Sequence, residues 1–111
     1  MRQGEIWLVN LDPSTHSETG KTRPAIILSI DEMNAHSPRV LVAPITSNVE
    51  KIYLHDIYVP AGAGGLSKDS KVMLDQLRSI DKRRLIRKIG QINKELLKKA
   101  CNGAMELISP P

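Results

Sequence analysis

The 111-residue chain is long enough for one domain with one modest core. Its apolar share of 41% and charged share of 25% are ordinary for a globular protein, and the single cysteine, Cys101, excludes an internal disulfide and fits a reducing compartment. A net charge of +4 suits a polyanionic partner, whereas 3% aromatic content without phenylalanine excludes an aromatic base-stacking platform as the main mode of RNA binding. No apolar run approaches a membrane span and the N-terminus lacks the apolar core of a signal peptide, so the expectation is a cytoplasmic protein with no membrane contact.

In chain order, Glu5 to Asn10 reads as the opening strand, through Ile6, Trp7, Leu8 and Val9. A long polar loop, 11–22, follows, and a loop of that length in a small domain points to function. It ends in Arg23-Pro24, where the proline pushes the arginine into an extended conformation at the mouth of an apolar strand, 25–29, covered on both faces. Asp31 to Ser37 has room for one helical turn. The next run, 40–45, contains Pro44, which predicts an edge or terminal position.

Asp56–Val59 is a fourth short strand, and residues 61–65 form a glycine-rich turn without the strand–glycine–helix context of a phosphate cradle. Lys71–Leu77 reads as a fifth strand. Asp81 can cap a short turn at 82–85, and 86–89 reads as a last strand stopped by Gly90. Asn93 caps a C-terminal helix whose apolar face runs through Leu96, Leu97, Ala100, Cys101, Ala104, Leu107 and Ile108. The sum is a single domain over residues 1–111, mainly β with a C-terminal helix, folded as a small curved antiparallel sheet or partial barrel.

Metal chemistry finds no support in the sequence. His16, His36 and His55 are scattered, no pair has ligand spacing, and no cofactor motif occurs. The polar groups at strand ends are more informative. Arg23 enters its strand, Thr46 and Ser47 leave theirs, and Asp75, Gln76 and Arg78 end the fifth. Placed at one rim, they offer a cation, hydroxyl donors and a carboxylate. Such a set suits phosphoryl transfer within RNA, where the ribose 2′-hydroxyl is the internal nucleophile. The protein then removes a proton, stabilises charge on the phosphorane and protonates the leaving oxygen.

The segments Gly4-Glu-Ile-Trp-Leu-Val, Asp12-Pro13, Thr22-Arg-Pro-Ala, Ala43-Pro-Ile-Thr-Ser47, Asp75-Gln-Leu-Arg-Ser-Ile-Asp81, Arg84-Leu85 and Gly90 occur in that order. In them the chain resembles the MazF/PemK (Kid) family of type II toxin–antitoxin toxins, from Gly4 to the C-terminal helix. The resemblance implies an SH3-like curved barrel, a homodimer and a cofactor-free, metal-independent endoribonuclease. It implies cleavage of single-stranded RNA at short sequences, leaving 2′,3′-cyclic phosphate and 5′-hydroxyl ends. It also implies a cognate antitoxin with an acidic, amphipathic C-terminal segment.

By the same resemblance Arg23 is the phosphate-stabilising acid and Thr46 its hydroxyl partner. Glu18 and Asp75 are the two candidates for the base. Ser17, Lys21, Ser47, Gln76, Arg78, Tyr53 and Arg83 are expected on RNA. Met73 and Ser17 stand where some PemK-like members carry arginine and histidine, which favours a mechanism resting on Arg23 and Thr46. The rival reading is a CcdB-like gyrase poison with the same barrel and no ribonuclease activity. A third is an SH3-like RNA-binding domain that does not cut.

Overall fold

The computed structural model describes residues 1–13 and 21–111. Seven strands make one sheet: β1 (Glu5–Asn10), β2 (Thr22–Ile27), β3 (Arg39–Thr46), β4 (Asp56–Val59), β5 (Ser70–Met73), β6 (Arg78–Asp81) and β7 (Leu85–Gln91). A short helix, α1 (Asp31–His36), joins β2 to β3, and α2 (Lys94–Leu107) closes the chain. The strand order is β4-β5-β3-β2-β1-β7, with β6 also paired to β3, and every pairing is antiparallel. The sheet is curved but open. This agrees with the mainly β class read from the sequence.

Both faces of the sheet are buried because successive side chains alternate between them. Ile6, Ile26, Ala43 and Ile45 face a core completed by Val72, Leu74 and the Leu96, Leu97, Ala100, Cys101 and Ala104 face of α2. Val9, Ala25, Ile27, Val40 and Val42 face the other way, into a second cluster with Leu11 and Ile80. Asn93 caps α2 as expected, its side chain accepting the Leu96 N–H at 2.8 Å. Asp81 accepts the Arg83 N–H at 2.8 Å and caps the 82–84 turn.

Five expectations are corrected. Arg23 and Pro24 lie inside β2 instead of before it, and β3 is a central strand despite Pro44. In the β2–β3 ladder Leu28 N–H bonds the Leu41 carbonyl, so alternation turns Pro44 away from β2. That side is where β6 gives way to β5 as the partner of β3, and no ladder there requires the missing N–H. The fifth strand stops at Met73, because the chain tucks Leu74 under α2, where Gly103 carries no Cβ to block it.

Gly90 does not stop β7, which runs through it to Gln91. Its hydrogen is needed where the Gly64 carbonyl packs against the strand. Finally, the apolar face of α2 fades before its end: Leu107 is exposed and Ile108 is 82% exposed.

Candidate active site

The β2–β3 register pairs Ala25 with Pro44, and continued by two residues it sets Arg23 opposite Thr46. On the other side of β3, Thr46 pairs with Lys71 of β5. Directly opposed residues share a face, so a guanidinium, a hydroxyl and an ammonium form a row across three strands. All three line one open cavity of about 370 Å³, together with Asn48, Glu50, Lys51, Tyr53 and Met73.

A second cavity adjoins the first, lined among others by Pro24, Ser47, Lys68 and Ser70, and Arg23 and Thr46 belong to both. They form the ridge between two lobes. Pro24 fixes the backbone beside Arg23, which makes that ridge stiff. The Thr46 hydroxyl oxygen accepts the Asn48 N–H at 3.1 Å, which leaves its O–H hydrogen for a ligand. Among the described residues, Glu50 is the carboxylate lining these lobes.

Lys71 and Asp56 make a buried ion pair at 2.9 Å, their side chains 8% and 4% exposed. The Lys71 ammonium also donates to the Lys51 carbonyl at 2.5 Å and lies 5.0 Å from the centre of the Tyr53 ring.

Of the residues expected from the sequence, Arg23, Thr46, Ser47 and Tyr53 meet at these lobes. Ser17 and Glu18 lie outside the described residues. Lys21 lines neither lobe: its N–H donates to Asp12 Oδ1 at 2.6 Å and its carbonyl accepts the Leu11 N–H at 2.8 Å. It does so in the left-handed region, at φ 64°.

Asp75 lies on the 74–76 turn and lines neither lobe, so the expected single rim is divided. The reason is register. β6 pairs with Arg39–Val42, the half of β3 remote from Thr46, and carries Arg78 away with it. There Arg78 donates to the Leu11 carbonyl at 3.1 Å. Gln76 lines neither lobe, its amide donating to the Met73 sulfur at 3.6 Å.

Arg83 belongs elsewhere again. It forks onto Asp81 at 3.0 and 3.1 Å and lines a separate groove with Asn10, Asp12, Thr22 and Arg84. Its guanidinium holds the Asp81 carboxyl down at about 2. Arg84 is engaged by the Asn10 and Asp12 carbonyls, and Lys88 by Glu5 at 3.1 Å, so much of the basic run is bound to its own chain. The Trp7 indole donates to Glu5 at 3.0 Å and its ring packs on the core. Burial pushes the Glu5 carboxyl up, but hydrogen bonds from Trp7, the Arg2 N–H and Lys88 bring it below its ordinary value.

Sequence reasoning missed Asn48, Glu50, Lys51 and Lys71. The first three follow the Pro-Ile-Thr-Ser segment and carry no motif of their own. Lys71 becomes significant only through the β3–β5 and β4–β5 registers, which no local pattern encodes.

Residues 2–108 match the family described as PemK-like, MazF-like toxin of type II toxin–antitoxin system. The chain is 42% identical over 98 residues to Endoribonuclease MazF9 of Mycobacterium tuberculosis, covering 84% of this chain and 83% of that protein. It superposes on the crystal structure of MazF (Form-I) from Deinococcus radiodurans with a TM-score of 0.85 and 26% identity, over 97% of this chain and 96% of that one. A MazE–MazF structure (Form-II) from the same organism aligns with a TM-score of 0.76 and 26% identity, over 100% and 97% of the two chains.

Proposed function

The chain belongs to the PemK-like, MazF-like toxins of type II toxin–antitoxin systems, and we propose that it cuts single-stranded RNA at the Arg23–Thr46 ridge. The carrying observation is that these two side chains divide two adjoining polar lobes. An RNA strand crossing the ridge sets a phosphate on it and a nucleotide in each lobe.

The ribose 2′-oxygen attacks the adjacent phosphorus while its proton passes to a carboxylate, and the 5′-oxygen leaves as a hydroxyl. The products are a 2′,3′-cyclic phosphate and a 5′-hydroxyl end. Arg23 grips two phosphate oxygens and protonates the leaving oxygen. Thr46 donates its free hydrogen to the developing charge. Asp75 lines neither lobe, and of the two carboxylates that the family resemblance nominates we propose Glu18 as the base.

No metal enters this scheme. The relatives include a MazE–MazF assembly, and we extend that to this chain as a homodimer neutralised by an antitoxin whose acidic, amphipathic segment covers the same basic lobes. The test is cleavage of a long single-stranded RNA in EDTA, beside Arg23→Ala, with the product ends mapped. Discrete cuts with cyclic-phosphate ends, lost in the variant, are expected. Intact RNA overturns the reading and directs attention to DNA gyrase.

A further inference from the structure

Lys71 is a buried charge that the cleavage scheme leaves without a task. An ammonium with a side chain only 8% exposed survives in a small core when its partners satisfy it. Here those partners all come from one loop, 51–56. The ammonium donates to Asp56 Oδ2 and to the Lys51 carbonyl, and it sits against one face of the Tyr53 ring. The same Asp56 oxygen accepts the Tyr53 N–H at 2.8 Å, and the Asp56 N–H returns a bond to the Tyr53 carbonyl at 3.0 Å.

This loop has little apolar anchoring of its own, since Ile52, Tyr53 and Leu54 are all exposed. Lys71 gathers three of its points onto a rigid strand. The strand is in register with Thr46, so the position of the loop is tied to the position of the ridge. Tyr53 is 65% exposed and lines the same lobe as Arg23 and Thr46. One ring face holds the cation, and a flat, polarised aromatic surface is left for a flat ligand.

We propose that Lys71 is a positioning residue for the substrate: it locks the 51–56 loop so that Tyr53 forms a stacking wall for the nucleobase next to the cut phosphate. This rests on the nuclease reading above and names what that reading lacks, the group that seats a base in the first lobe.

The experiment uses a short RNA containing one mapped cut site, and a set of the same RNA with single abasic nucleotides placed in turn around the cut. Wild-type protein is compared with Tyr53→Ala, Lys71→Met and the double variant. Because Lys71→Met strands the buried Asp56 carboxylate, Lys71→Met with Asp56→Asn is made as well, and thermal melting reports the fold of each.

For the wild type, one abasic position raises KM about tenfold. Tyr53→Ala and Lys71→Met each raise KM for intact RNA by a similar factor, with kcat within about threefold, and each loses sensitivity to that same abasic position. The double variant is no worse than either single one. A folded Lys71 variant that keeps the abasic sensitivity overturns the proposal. So does a fall in kcat at unchanged KM, which would place Lys71 in the chemistry instead. Wild-type protein that cuts no RNA overturns the nuclease reading itself, and that failure is visible before any variant is compared.

Discussion

Arg23 of β2 and Thr46 of β3 line the same two cavities, so a guanidinium and a hydroxyl from adjacent antiparallel strands are presented to one site. Neither residue is part of the packed interior, and each is held by a strand that is. Chemistry and folding can therefore be separated by mutation at this pair.

Arg23→Ala should lower the cleavage rate by at least 10²-fold, since one transition-state donor of this kind contributes about that much. The melting temperature should change little, because the side chain is only partly buried and lines a cavity instead of the core. Arg23→Lys should recover only part of the activity: it keeps the charge but cannot grip two oxygens at once. Turnover and melting curves measured on the same preparations check both statements.

Thr46→Val keeps the branched shape preferred in a strand and removes the hydroxyl. It should lose about 10²-fold in kcat, whereas Thr46→Ser should retain most of it. Equal rates for the valine variant and the wild type would remove Thr46 from the mechanism.

Three carboxylates can be ranked by pH–rate profiles. Glu18→Gln should abolish the acidic limb of the profile and lower kcat. Asp75→Asn should leave the limb in place, because Asp75 lines neither lobe. Glu50 lines the first lobe, so Glu50→Gln should alter KM by removing a negative charge beside the phosphate path. Loss of the acidic limb in Asp75→Asn would reverse the assignment.

Asp81 should govern part of the acid sensitivity. Its carboxyl is held at about 2 by hydrogen bonds from the Arg83 side chain and N–H, well below the ordinary 3.8. A depressed folded-state value means that the ionised form favours the fold. The contribution is complete above about pH 4 and disappears as the pH falls to about 2. Melting temperatures of wild type and Asp81→Asn should therefore differ at pH 6 and converge across that interval.

Gly90→Ala should destabilise the fold by about 1–3 kcal/mol, the usual effect of forcing a methyl group into a packed site. The added carbon would be driven into the Gly64 carbonyl, which is backbone and cannot swing aside. Urea unfolding provides the measurement.

The sequence by itself determined the fold class and most of the elements. The apolar run of β1, the Asn93 cap and the α2 face through Ala104 follow from local propensity and periodicity. The meeting of Arg23 and Thr46 at one site was approachable, because each stands in a recognisable segment, Arg-Pro and Pro-Ile-Thr-Ser. Tertiary structure decided what depends on register. It placed β6 against the far half of β3, and so removed Asp75 from the ridge. It set Lys71 beside Thr46, made Pro44 harmless in a central strand, and turned Gly90 from an expected stop into a point of close approach. Strand pairing is a long-range choice that depends on how both cores fill, and a single chain's local pattern carries no record of which strand will be its neighbour.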